Sequence, residues 1–555
     1  MVSTREKVNN LHPLLRWLLY TLLVILVLLI ILQLFLSFFA DDYAANRIKE
    51  QMQSSSDTYS IDFDDLDLNV FNGSAAISNL RITADTTAFS DSSASPAMMF
   101  NGTIGEIDVA GISILSTAWG DELKASSITI TGPEITAIRN PRPAQPDSGR
   151  SFVSVDSTIY ASLPPRYSAL EVDEFSIRDG QARLLTSGDT TSSLHRLDLQ
   201  LQNIRIDSAS AKSGRFFPTD NLSIQAQDFR IKLADSLNIV AFQNLSVSSE
   251  DQNFILDSLE VIPRYGKLQF AWRHGTRIDR IDLTIPEIKA EQIDFAQLSD
   301  SAKFHAGYLE INKARLEDYM NRGVPGGPPK IKTLPFVTFK KMQQPIKIDS
   351  LKIHDSYISY SEYHSKAPRA GIVTFEKLNG IFRDISNYPE DKAKGLTTTL
   401  DVSSQVMGSG PLEAHFEFPM DTQNAFHKIK GKLGNMSITD FNDMSRYVAK
   451  VYINKGLLNS LEFEMVLNKD KANGSVIMNY ENLKFSVVDI QTQKQEGLKE
   501  NLVTFLGNNL LIKKNNTPET GMQAGTIDFK RDKTKSIFNY WWKSLLSGIK
   551  DSAKK

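Results

Sequence analysis

Tyr59–Ile82 reads YSIDFDDLDLNVFNGSAAISNLRI, and its first half alternates. Ile61 and Phe63 are followed by a double polar step, Asp64–Asp65, and then by Leu66 and Leu68. A period of two puts one apolar face on a strand. The double step would turn that face over in a regular strand, so a bulge absorbing one residue is expected there. Asn72–Gly73 supplies a tight turn, and the hairpin returns through Ser74–Thr83.

Working outward, the same offsets recur at Leu123, Ala125, Ile128 and Ile130 and at Leu170, Val172, Phe175 and Ile177. They return at Leu199, Leu201, Ile204, Ile206 and at Val240, Phe242, Leu245, Val247. Further copies are Phe254, Leu256, Leu259, Val261, then Leu309, Ile311, Ala314, Leu316, then Ile346, Ile348, Leu351, Ile353. Polar pairs such as Asp173–Glu174, Gln202–Asn203, Asp257–Ser258 and Asp349–Ser350 occupy the same break. The spacing between copies is irregular, so no fixed solenoid period is assigned. The expected fold is mainly β: an elongated, curled antiparallel sheet or groove built from repeats. Asp179–Gly180 reads as one of its hairpin turns.

Trp17–Ala40, WLLYTLLVILVLLIILQLFLSFFA, carries no charge. As a helix it reaches roughly 36 Å, enough to cross a hydrocarbon core of about 30 Å. It is longer than the apolar core of a signal peptide, so an uncleaved transmembrane helix is expected. Arg5, Lys7 and Arg16 precede it, which favours a cytoplasmic N-terminus and places the bulk of the chain outside the cytoplasm, in the periplasm if the cell is a bacterium with two membranes. The expected localisation is therefore the inner membrane, single-pass.

The expected organisation is a cytoplasmic tail at 1–16, the membrane helix at 17–40 and a first β region at 41–140. A linker at 141–150, rich in proline, leads to a central β region at 151–322 and a Gly/Pro-rich loop at 323–335, either a linker or a strap across the sheet edge. A C-terminal β region at 336–489 contains a short helix near 437–448, and 490–555 holds short amphipathic helices and a last strand. Within that tail Gly497–Lys513 has a helical apolar pattern. Near its end Phe538, Trp541, Trp542, Leu545 and Ile549 share an apolar helical stripe opposed by Lys535, Lys543 and Lys550. Such a helix caps the exposed end of a sheet, or lies in a membrane interface, or binds a partner.

Chemistry is sparse. The chain has no cysteine, which excludes disulfides and thiolate sites. A net charge of -3 with mixed signs argues against a nucleic-acid surface. No nucleophile elbow, phosphate loop or zinc-protease helix occurs, and no cofactor or metal is expected. The 8 histidines are scattered, although His354 and His364 can meet near Glu362. Asp62, Asp64, Asp65 and Asp67 read as a solvated face. The chain is not expected to be an enzyme.

The anchor followed by Tyr59–Ile82, together with Leu170–Leu185, Ile346–Tyr360 and Gly456–Val488, resembles AsmA-like proteins of the bacterial envelope, of the Bacteroidota type and related to TamB-like proteins. That resemblance implies an inner-membrane-anchored periplasmic β-groove that binds or conducts phospholipid or another acyl-chain lipid and supports outer-membrane lipid homeostasis. Ile61, Phe63, Phe175, Ile177, Phe254, Leu256, Ile348 and Ile353 are then the expected groove lining. The alternative is a non-catalytic envelope scaffold that assists assembly through contacts with outer-membrane or envelope proteins. Periodicity alone does not separate them, because a packed sandwich and an open groove give the same alternation.

Overall fold

The structure is a computed structural model describing residues 59–69, 72–87, 98–113, 116, 119–140, 155–213, 215, 219, 221–420, 424–489, 491–496 and 512–554. The described part is mainly β and forms two compact units. The first takes in the described part of Met1–Leu233 with Ala241–Asp257 and Glu291–His305. The second takes in Ala234–Val240, Ser258–Ala290 and the described part of Ala306–Lys555.

In the first unit β1 (Tyr59–Asp62) and β2 (Asp65–Asn69) both pair antiparallel with β3 (Ser74–Ala84). Asn72–Gly73 forms the expected turn, with Gly73 at φ +66, a left-handed angle that glycine adopts without steric cost. The sheet continues through β4 (Met98–Ala110) and β5 (Glu122–Arg139), then through β6 (Ala169–Thr186), β7 (Asp189–Asp207) and β8 (Asn221–Lys232). The β5–β6 pair is parallel, so the all-antiparallel expectation is corrected to a mixed sheet. Parallel strands need a crossover connection, and helix α1 (Val155–Ser162) lies within it. Its Ile159 packs into the core beside Phe63, Leu80, Ile130, Phe175, Ile177 and Ile206.

The double step works differently from an inserted residue. In β7 Leu199, Leu201, Ile204 and Ile206 are all buried, so both apolar pairs face one side as expected. Yet the β6–β7 register runs evenly from Val172↔Ile204 to Phe175↔Leu201. Both strands take the step at the same level, and Asn203 absorbs it with a left-handed φ of 56. Asn tolerates that region better than most residues. Asp179–Gly180, by contrast, is no hairpin turn. It lies inside β6 as a register shift, with Asp179 at φ 55 and its amide donating to Asp198 Oδ1 at 2.8 Å. The turn falls at Ser187–Gly188, both left-handed, as a two-residue hairpin connection demands.

The chain continues through β9 (Asn238–Ser248), β10 (Asn253–Pro263), helix α2 (Gln269–His274), β11 (Asp279–Ile293) and β12 (Phe304–Asn312). In the second unit β11 pairs antiparallel with β13 (Arg315–Asn321), which runs parallel to β14 (Ile346–Tyr363). An antiparallel succession follows: β15 (Gly371–Ser386), β16 (Thr397–Val406), β17 (Gly410–Pro419), β18 (His427–Leu433), β19 (Met436–Ser437), β20 (Val451–Leu467) and β21 (Lys471–Val488). The two-residue β22 (Gln495–Glu496) and then β23 (Ala524–Lys530) pair with β21. Helical turns span Ile438–Ala449, where the short helix was expected. Helix α3 (Ile537–Ser552) completes the core of this unit with Tyr540.

The expected membrane topology is corrected. Among the described residues no helix is long and apolar enough to cross a membrane. Helix α3 has 16 residues, about 24 Å at the α-helical rise, and carries Lys543, Lys550 and Asp551. A span needs about 20 predominantly apolar residues. Trp17–Ala40, the linker at 141–150 and the pattern at 497–511 lie outside the described residues. The structure therefore supports neither the transmembrane helix, nor the single-pass inner-membrane localisation, nor the anchored lipid conduit that depended on them.

Candidate functional site

The residues expected to line a groove separate into groups. Phe63, Phe175 and Ile177 are buried in the first unit's core, with Ile61 half-buried against it. On β10 Leu256 is buried and Phe254 half-buried; Ile348 and Ile353, half-buried on β14, belong to the second unit. None of the eight is among the exposed large apolar side chains. The depression lined by Arg81, Ile82, Thr103, Glu134, Ile135 and Arg183 is open to solvent and mixes polar with apolar surface. Arg81 also binds two of the acidic residues of the first strands, its Nη2 standing 2.9 Å from Asp62 and 2.6 Å from Asp64.

Helix α3 is seated against β21 and β23. Its buried line is Ile537, Tyr540, Ser544, Gly548 and Ser552, with Trp541, Leu545 and Ile549 packed at the flank. A Cβ on Gly548 would lie 2.7 Å from Ile527 Cγ1 and 2.9 Å from Val476 Cγ2, so the helix approaches as closely as it does only through glycine. Ser536 caps the first turn by accepting from the Asn539 amide, and Asp551 Oδ2 accepts from the Thr526 amide at 2.8 Å. Tyr540 donates its hydroxyl to Asn468 O. Trp541 Nε1 donates to Nε2 of the fully buried His427 at 3.0 Å. What remains outward is Phe538, 68% exposed, and Trp542, 50% exposed. Of the expected stripe, Trp541, Leu545 and Ile549 pack inward and Phe538 and Trp542 do not; hydrophobicity alone missed Ser544 and Gly548, which seat the helix by being small.

A second constellation occupies one face of β11, β13 and β14. The register places Asp279 opposite Met320 and Met320 beside Glu362; Ile281 faces Asp318, which lies beside Tyr360. Arg322 Nη2 and the Tyr360 hydroxyl both donate to Glu362 Oε2 at 2.8 Å, and His364 Nε2 is 3.2 Å from Oε1. His354 is elsewhere, 3.6 Å from Glu310, so the two histidines do not meet. Burial pushes the Glu362 carboxyl up, but the bonds from Arg322 and Tyr360 outweigh it and hold it below the usual range. Asp318 has no such partner. Burial and the neighbouring Asp279 charge push it up to about 7 against the pull of Lys332. Asp279 is raised too, chiefly by burial. Oδ1 of each lies buried without a hydrogen-bond partner.

The Gly/Pro-rich loop is pinned beside this face. Arg277 binds it through Val324 O and Pro325 O, and Lys332 Nζ reaches to 3.9 Å from Asp279. The Lys332 amide bonds to Lys533 O, Arg531 Nη2 donates to Lys332 O, and Leu334 is buried against Ala425 and Ile537. Among the described residues no group of His, Asp or Glu is arranged to hold a metal ion.

No protein-family model and no curated protein matches the chain. The likeness to AsmA-like proteins thus rests on the quoted segments alone.

Proposed function

We propose that the chain is a non-catalytic scaffold that assists assembly through protein contacts, with the bacterial envelope as the setting its sequence resemblance implies. One observation carries the reading. The strand residues expected to receive acyl chains are buried or half-buried, whereas aromatic side chains stand out on helices, Trp272 on α2 and Phe538 and Trp542 on α3. Among the described residues the large apolar side chains exposed on strands are the aliphatic Leu457, Val466 and Ile477, none of them an expected lining residue. Fully burying one Leu, Ile or Phe side chain is worth about 1.5–3 kcal/mol, so the core clusters use their apolar faces for folding. Aromatic side chains set on a rigid element suit a protein interface, where Trp and Tyr carry much of the binding energy.

Photo-crosslinking in the native host tests this. A photoreactive side chain placed at Trp542 is expected to give protein adducts, and one at Ile177 or Leu256 to give none. Lipid adducts at Ile177 and Leu256, with no protein adduct at Trp542, would overturn the scaffold reading.

A further inference from the structure

Arg264–Arg277 reads RYGKLQFAWRHGTR and joins β10 to β11. It contains Arg264, Lys267, Arg273 and Arg277 and no acidic residue. Helix α2 within it turns Phe270 and Ala271 inward, 1% and 2% exposed. Leu268 and Trp272, one helical turn apart on the same side, stand out at 51% and 58%.

This knob is held from below. The amide of Asn321, itself 3% exposed, donates to Leu268 O at 3.1 Å, and Arg280 Nε donates to Tyr265 O at 3.1 Å. Gly275 closes the helix at φ 86, its N–H shared between Ala271 O and Trp272 O. A scattered exposed apolar residue needs no explanation. A Trp and a Leu fixed side by side on an anchored turn are less easily dismissed.

The surrounding charge gives the partner's chemistry. The Arg264 and Arg273 guanidiniums lie 5.8 and 5.2 Å from the centroid of the Tyr265 ring. Arg264 Nη1 donates to Ser236 O, and among the described residues neither arginine has a carboxylate partner. Lys267 is paired with Glu317, which Arg315 also binds. Asp282 is taken by Arg280, and Asp235 accepts from the Leu237 amide in its own turn. Two guanidiniums held at one ring therefore present unused N–H forks beside an apolar anchor. Planar forks match carboxylates in pairs of parallel bonds.

We propose that Leu268, Trp272, Arg264 and Arg273 form a docking knob for an acidic segment of a partner protein, which seats the Trp and Leu and places carboxylates on the two guanidiniums. The proposal rests on the scaffold reading and names the partner's chemistry. A protein is favoured over a lipid surface because the apolar part is small and the composition, Trp with Arg and Tyr, is that of interface hot spots.

The test uses the full chain in its native host, with a photoreactive side chain at the position of Trp272, at Trp542, or at exposed Trp119 as a reference. The expected result is a protein adduct at 272 whose crosslinked peptide, sequenced by mass spectrometry, carries several Asp or Glu residues. Combining it with Arg264→Gln and Arg273→Gln should cut the yield about tenfold or more, as removing central hot-spot groups does, with thermal stability unchanged. A protein adduct at 542 but none at 272 overturns the knob and leaves the scaffold standing. Lipid adducts alone at 272 overturn it in favour of a membrane surface. An adduct at 272 that is indifferent to both arginines, or whose peptide lacks acidic residues, also overturns it. The absence of protein adducts at all three positions removes the scaffold reading as well.

Discussion

Acid should loosen helix α3 through His427. This ring is fully buried; Nδ1 stands 3.0 Å from Ala425 O and therefore carries the proton, leaving Nε2 to accept from Trp541. Burial pushes the pKa from 6.5 down to about 4, against the bond to Ala425 and helped by the charges of Arg531 and Lys340. The unfolded segment binds a proton near pH 6.5 that the folded one refuses until about 4. Stability is therefore complete above that unfolded value and drains away as the pH falls toward the folded one. At about 1.4 kcal/mol for each pH unit the gap is worth about 3 kcal/mol. Native-state hydrogen exchange across Ile537–Ser552, corrected for intrinsic rates, measures the opening free energy directly. It should drop by about that amount between neutral pH and pH 4 in the wild type. His427→Gln retains an acceptor for Trp541 and does not titrate, so its curve should be nearly flat. A level wild-type curve, or an equal slope in the Gln variant, would refute the reasoning.

Asp318 should act with the opposite sign. Its folded pKa, about 7, lies above the ordinary 3.8, so ionisation opposes folding and stability falls as the pH rises between those values. Asp318→Asn should remove that loss and stabilise the second unit by a few kcal/mol at most at mildly alkaline pH, with little effect near pH 4, read by urea denaturation. Gly548→Leu should overpack the contact with Val476 and Ile527 and cost about 1–3 kcal/mol, seen as faster exchange in α3, whereas Lys543→Leu on its exposed side should not. In the first unit Arg215→Ala should cost about 3 kcal/mol by orphaning Asp156, which is 0% exposed and 2.6 Å from Arg215 Nε; Asp156→Asn in the same chain should recover most of it, both judged by thermal melting.

Strand periodicity was legible where a strand keeps one face inward, as β3 and β7 do, and the double polar step did mark the place where β7 changes course at Asn203. What alternation does not encode is partnership. Nothing in Leu123–Ile130 or Leu170–Ile177 says that they run parallel, since either direction buries the same residues. Asp179–Gly180 has turn chemistry, but a left-handed residue serves a bulge as well as a hairpin. The seat of α3 stayed hidden because closeness depends on missing atoms at Gly548 and Ser544. The carboxylates at Asp279 and Asp318 read as ordinary polar positions, and only strand register shows them facing the same side.

The pinned loop at 323–335 has a bearing on how the second unit can be put together. Lys330 and Ile331 stand in solvent, while Val324 and Leu334 to either side are buried. Cutting the Lys330–Ile331 bond leaves β13 on one fragment and β14 on the other, still joined rung by rung from Arg315↔Tyr357 to Asn321↔Tyr363. Arg531 and Lys533 still grip Lys332, and Arg277 still holds Val324 and Pro325. The covalent link at this point is dispensable to the pairing on both sides of it. The unit is therefore divisible: two polypeptides split at that bond are expected to complement each other.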